Sequence, residues 1–67
     1  MSFRERLENL GVSQAQFARI LETMSGQSVD YVTINRWVTG RQNPHYAVLA
    51  CLWALERLPK RVWQKLL

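Results

Sequence analysis

Thr33-Ile34-Asn35-Arg36-Trp37-Val38-Thr39-Gly40-Arg41-Gln42-Asn43-Pro44 decides how the rest of this chain is read. The spacing gives a short helix stopped by Gly40, then a second helix for which Asn43 is the cap and Pro44 the first helical residue. Asp30 can cap the short helix, because its carboxylate accepts from an amide two or three residues further on. Ile34, Trp37 and Val38 supply the buried side. Tyr31, Val32, Asn35 and Arg36 are left to face outward, beside a loop that carries Arg41. A short helix with hydrogen-bonding and cationic groups on its free side fits the major groove of duplex DNA.

Towards the N-terminus, Ser13 and Gln16 have the spacing of a capping box, and the helix they open turns Phe17, Ala18 and Leu21 inward, with Arg19 and Glu22 outward. It ends before Gly26. Ala18 is small enough for a following helix to cross closely. Ser2 and Glu5 repeat the start signal, with Phe3, Leu7 and Leu10 along one face before Gly11. Towards the C-terminus, Leu49, Ala50, Trp53 and Ala54 make one apolar stripe, widened by Val48, Leu52 and Leu55. A helix that is apolar on nearly two faces packs one on its own domain and offers the other to a partner chain. Pro59 interrupts it, and Val62, Trp63, Leu66 and Leu67 form a last stripe opposite Lys60, Arg61 and Lys65. No alternating strand pattern or internal repeat is present, so the expected class is all-α.

With 67 residues and no Ser/Gly/Pro linker, the chain is expected to be one domain, and its three Trp, two Phe and two Tyr can build a thin core without metal or disulfide. The charge is unevenly placed. Arg4, Arg6 and Arg19 cancel Glu5, Glu8 and Glu22, whereas Arg36, Arg41, Arg57, Lys60, Arg61 and Lys65 face only Asp30 and Glu56, so the whole +4 lies beyond residue 29. That bias suits a polyanion, although charge alone reads equally well as a solubilising surface. Cys51 is solitary in an apolar run and reads as a packing residue. The run Ala47 to Ala54 is too short to span a bilayer, and the first residues lack the apolar core of a signal peptide, so a cytoplasmic protein is expected. One Cys and one His make no metal set, no Gly-rich phosphate loop exists, and Cys51 and His45 belong to the same helical region. No enzyme activity, cofactor or small-molecule ligand is expected.

Val12-Ser13-Gln14, Phe17-Ala18, Leu21, Thr33-Ile34-Asn35-Arg36-Trp37, Gly40-Arg41 and Pro44 together resemble the lambda-repressor-like (Cro, XRE-type) helix-turn-helix family over about residues 10 to 58. The segment Glu22 to Val29 is longer than that family's tight turn, and Val38 stands where an acidic residue is usual after the Trp. The resemblance implies that Tyr31, Val32, Thr33 and Arg36 look into the major groove, Arg36 towards guanine O6 and N7, and Tyr31 or Val32 towards thymine methyls. It implies that Gln14, Asn35, Thr39, Arg41 and Asn43 lie near phosphates, Gln14 at a helix N-terminus that favours an anion. Blander readings stand beside these. Arg36 could pair with Glu22 or Glu56, Tyr31 and Val32 could be core or dimer contacts, and Trp37, Trp53 and Trp63 read as packing residues.

The expectation is therefore an all-α, five-helix, lambda-repressor-like domain over residues 1–67 that binds double-stranded DNA. It would be a homodimeric repressor on a palindromic operator, of the kind typical of phages and mobile elements. The stretch Gly40 to Tyr46 also looks similar to the anti-CRISPR-associated repressors. The dimer contact is expected from residues 59–67 and the surplus apolar side chains Leu52, Leu55, Val62, Trp63 and Leu66. An excisionase or transposase-accessory protein is the nearest alternative. An antitoxin-like interaction module is the alternative from another class.

Overall fold

The first four helices each start where a side chain accepts from one of the first orphan amides, and those acceptors set the frame. A computed structural model describes residues 2–66. Its elements are α1 (Phe3–Leu10), α2 (Gln14–Ser25), α3 (Tyr31–Val38), α4 (Tyr46–Arg57) and α5 (Lys60–Trp63), closed by a 3-10 turn, Gln64–Leu66. No strand occurs among the described residues. None of these helices is long and apolar enough to cross a membrane.

Ser2 Oγ accepts from the Glu5 amide at 3.2 Å and donates to the Glu5 carboxylate at 3.1 Å. The Ser13–Gln16 capping box is reciprocal: Ser13 Oγ accepts from the Gln16 amide at 3.1 Å, and Gln16 Oε1 accepts from the Ser13 amide at 2.9 Å. Asp30 caps α3 by accepting from the Val32 amide at 3.1 Å. The start of α4 differs from the expected Asn43–Pro44 pair. Asn43 and Pro44 stay outside the helix, and the cap is His45, whose Nδ1 accepts from the Ala47 amide at 3.3 Å. The imidazole supplies the acceptor two residues later than the asparagine would.

Gly11 ends α1 in the left-handed conformation, at φ 74°. Its amide donates to Glu8 O at 3.0 Å, and the next amide, of Val12, donates back to Leu7 O at 3.3 Å. This double return satisfies the terminal carbonyls and brings buried Val12 against buried Leu7. The last turn of α1 carries no basic residue of its own. Lys60 reaches over from α5 instead, so close that a Cβ on Gly11 would lie 3.2 Å from its Nζ. A cation there suits the negative end of the helix dipole.

The core is built by Leu7 of α1, Val12, Phe17, Ile20 and Leu21 of α2, Ile34 and Trp37 of α3, Leu52 and Leu55 of α4, and Trp63 of α5. Phe3 closes one end, edge-on to both Phe17 (centroids 5.6 Å apart) and Trp37 (5.9 Å). Helix α2 is the centre, packing on α3, α4 and the closing turn. It ends at Ser25, before Gly26 as its sequence indicates, so the connection to α3 is residues 26–30, with half-buried Val29 tucked onto the core.

The C-terminal half corrects two expectations. On α4 the inward row is Val48, Cys51, Leu52 and Leu55, while Leu49, Ala50 and Trp53 of the expected stripe point outward. The helix is apolar around most of its circumference, so periodicity alone does not choose its rotation. Leu52, Leu55 and Trp63, read as a surplus left for a dimer contact, are buried in the chain's own core at 0%, 1% and 3% exposure. Trp63 folds back on α4, where its indole Nε1 donates to Leu55 O at 3.1 Å. Leu66 is half-buried against the same core, Val62 alone of that set is exposed, and Leu67 lies outside the described residues.

One long-range ion pair ties α1 to α4. Arg6 on α1 holds Glu56 in a two-pronged contact, Nε to Oε2 at 3.0 Å and a terminal nitrogen to Oε1 at 2.6 Å. The hydrogen bonds from Arg6 hold the Glu56 carboxyl below its ordinary value, partial burial opposes this, and the charges of Arg6 and Arg57 add to it. Arg6 is raised in turn, first by the same hydrogen bonds.

Trp63→Ala should cost about 3–5 kcal/mol, comparable to the whole stability of a domain this small, whereas Val62→Ala should stay within about 0.5 kcal/mol. Thermal unfolding followed by circular dichroism checks both; a Trp63→Ala chain as stable as wild type would contradict the core assignment. Glu56→Gln should lower the unfolding free energy by about 0.5–1 kcal/mol at neutral pH. Because the folded carboxyl titrates below its ordinary value of 4.5, this contribution is whole above that pH and is lost as pH falls through the folded value. Urea titrations should therefore show the variant and wild type converging in acid; a gap that persists there would contradict the pairing.

Candidate nucleic-acid interface

Burial of Ile34 and Trp37 fixes the rotation of α3, and the rest of its surface follows from 100° per residue. Tyr31, Val32, Asn35 and Arg36 fall on the outer arc, with Tyr31 and Val32 55% and 51% exposed. They are neither core nor staple residues. Thr33 is half-buried at the edge of that arc, on the side of Trp37, and is the least accessible of the expected base-reading set. Among the described residues the ion pairs are Arg4–Glu8 and Arg6–Glu56, so Arg36 pairs with neither Glu22 nor Glu56. Among the described residues its guanidinium has no hydrogen-bond partner.

The end of α3 places the neighbouring cation. Gly40 takes φ 78°, its amide donates to Trp37 O at 3.3 Å, and the Arg41 amide turns back to Arg36 O at 2.9 Å. This closure pins the Arg41 backbone directly below the last turn that carries Arg36. Only a residue that tolerates a positive φ makes it without strain, which is why a glycine stands there. Thr39, expected near a phosphate, has its hydroxyl directed to Asn35 O at 2.9 Å. Its hydrogen is committed to its own helix, and the hydroxyl offers an anion no donor in this rotamer. Asn43 is exposed in the connection that leads to His45.

Gln14 is the first residue of α2, and its Oε1 accepts from Asn35 Nδ2 at 3.4 Å. This long contact joins the start of α2 to the outer arc of α3. It uses the carbonyl of Gln14 and leaves its amide hydrogens to a ligand. Sequence reading assigned both residues to one anion-facing edge but gave no sign that they touch, since they lie 21 positions apart.

The outer surface of α4 is a second feature that the expected stripe misassigned. Tyr46 is 77% exposed and Trp53 54%, with the Arg57 guanidinium 4.8 Å from the Trp53 ring centroid. An open groove of about 440 Å3 runs between α1 and the 39–44 connection, bordered by Phe3, Arg6, Trp37, Asn43 and Leu49. Trp37 Nε1 is buried without a hydrogen-bond partner among the described residues. No group of three His, Cys, Asp or Glu that could hold a metal occurs among the described residues.

Comparison with family models, curated proteins and solved structures finds no match to this chain. Its functional reading rests on the residues and their geometry.

Arg36→Ala and Arg41→Ala should each leave the unfolding free energy within about 0.5 kcal/mol of wild type, because neither guanidinium serves the fold. Chemical denaturation measures this, and a loss above about 1 kcal/mol would reveal a structural partner for the arginine.

Proposed function

We propose that this chain is a lambda-repressor-like helix-turn-helix domain that binds double-stranded DNA in a sequence-specific manner, as a homodimeric transcription repressor. The observation that carries the reading is the outer arc of α3: Tyr31, Val32, Asn35 and an unpaired Arg36 on one exposed surface, with Arg41 and the start of α2 at its margins. A duplex needs those three components together. Base edges are read by a two-pronged donor such as Arg36 and by apolar groups such as Val32 and the Tyr31 ring. Phosphates are met by Arg41, by the Gln14 amide and by the free backbone amides at the start of α2, where the dipole favours an anion. The excess of cations beyond residue 29 supports the same polyanionic partner.

Binding energy divides along these lines. Arg41 gains affinity on every sequence by releasing condensed counterions, whereas Arg36 gains it only where guanine offers O6 and N7. In a repressor the occupied operator excludes polymerase, and two-fold symmetry of the protein calls for inverted half-sites. Direct repeats would instead favour an excisionase.

Selection from random duplexes should yield an inverted repeat. On it Arg36→Ala should weaken binding by about 1–3 kcal/mol and relax preference at one base pair, while Arg41→Ala should weaken all duplexes alike and reduce the salt slope by about one. Titrations on matched and mutated sites at several salt concentrations measure both. Failure to enrich any duplex would overturn the proposal, and equal weakening of every sequence by Arg36→Ala would make that residue a phosphate contact.

A further inference from the structure

Helix α4 is apolar on two opposite sides, and only one is used. Taking 100° per residue, Val48, Cys51, Leu52 and Leu55 cluster on the inward side, while Tyr46, Leu49, Ala50, Trp53 and Arg57 form a contiguous arc centred opposite them. We infer that this outer arc of α4 is a self-complementary interface on which a second copy of the chain docks, with two α4 helices crossing antiparallel about Ala50 and Trp53. The inference rests on the proposed DNA-binding reading only in that a palindromic site calls for a two-fold pair.

Area favours a second copy. Tyr46, Leu49 and Trp53 are 77%, 36% and 54% exposed, and with Ala50 and Arg57 they offer on the order of 500 Å2 per chain, against a total accessible surface of 4699 Å2. Two copies would cover at most about 1,000 Å2, the level at which specific interfaces begin. Shape favours it as well. Ala50 is a low point between the large rings of Tyr46 and Trp53, so in this antiparallel pair each copy's Trp53 ring can seat over the other's Ala50.

Charge decides the direction. Arg57 is the only ionisable cation on the arc, and its guanidinium already lies over the Trp53 ring at 4.8 Å. Parallel pairing would set the two arginines side by side. Antiparallel pairing about the arc's centre separates them by roughly 17 Å along the helix axis, well beyond the ~10 Å screening length, and brings each towards the partner's Tyr46. The neighbouring acid, Glu56, is occupied by Arg6 and repels no incoming copy. The arc displays no carboxylate, and its polar groups, the Tyr46 hydroxyl and the Arg57 guanidinium, lie at its two ends, where the rim of an interface stays wet.

Sedimentation equilibrium of the full chain tests this, with folding of each variant verified by circular dichroism. Expected is a dimer at micromolar concentration, with Trp53→Glu and Leu49→Glu each weakening association by about thirtyfold or more, and Val62→Glu on α5 leaving it intact. In a Cys51→Ser background, Ala50→Cys should cross-link two chains on mild oxidation, and Val62→Cys should not. A wild-type monomer at 100 µM overturns the interface, as does a dimer that survives Trp53→Glu or is broken only by Val62→Glu. A wild-type monomer that still binds a selected duplex overturns the interface and leaves the DNA reading standing. A dimer that Trp53→Glu dissociates, but that enriches no duplex, supports the interface and overturns the DNA reading.

Discussion

The packing of Ile34 and Trp37 against α2 and Phe3 is the constraint on which the candidate site depends. Helix α3 has eight residues, too few to hold a helical conformation alone in water, so its existence and its rotation both come from the apolar side it buries. Ile34 is fully buried and Trp37 nearly so, with the Phe3 ring edge-on to Trp37 and to Phe17. Once these are inside, Tyr31, Val32, Asn35 and Arg36 have no other place than the surface. The Gly40 closure and the Asp30 cap then fix where that surface begins and ends. Arg41 therefore owes its position to the backbone chemistry of a helix end, and its side chain is free for other work.

A helix α1 tied to α4 by Arg6 and Glu56 braces this arrangement from outside the core. A surface pair contributes little to stability, but a two-pronged one constrains orientation, and here it links residues 50 positions apart. It is consistent with the side of α4 that burial of Leu52 and Leu55 turns inward. With Glu56 turned towards α1, Leu52 and Leu55 meet α2, and Tyr46, Leu49 and Trp53 face away. The proposed reading surface on α3 and the proposed two-fold contact on α4 are thus consequences of the same core, one through Ile34 and Trp37 and the other through Leu52 and Leu55.

Most of the local grammar was legible in the chain. Ser2, Ser13 and Asp30 cap where their spacing says they should, Gly11, Gly26 and Gly40 take positive φ at helix ends, and the amphipathic pattern of α3 assigned Ile34 and Trp37 correctly. These features are encoded within a few residues of one another. What was not legible depends on distant partners. The rotation of α4 is ambiguous because apolar residues surround it, and it is resolved by distant partners, the α2 core that buries Leu52 and Leu55 and the Trp63 indole that folds back on Leu55. Trp63 looked like surplus because nothing near it in sequence shows that Leu55 O accepts its indole hydrogen. The His45 cap was hidden behind a stronger local signal, Asn43–Pro44. Of the candidate site, the outer arc was readable, whereas the Gln14–Asn35 contact and the committed hydroxyl of Thr39 were not.

The outer arc of α3, with its two flanks, is the surface proposed to meet DNA. Amide chemical shifts of the isotopically labelled full chain, followed while a selected duplex is added, test it residue by residue without altering the protein. Expected are the largest changes at Gln14 and Ala15, at Tyr31, Val32, Asn35 and Arg36, and through Gly40 to Asn43, with Tyr46, Leu49 and Trp53 on α4 little affected. Changes concentrated on the outer arc of α4 or on Lys60, Arg61 and Lys65, with α3 silent, would contradict it.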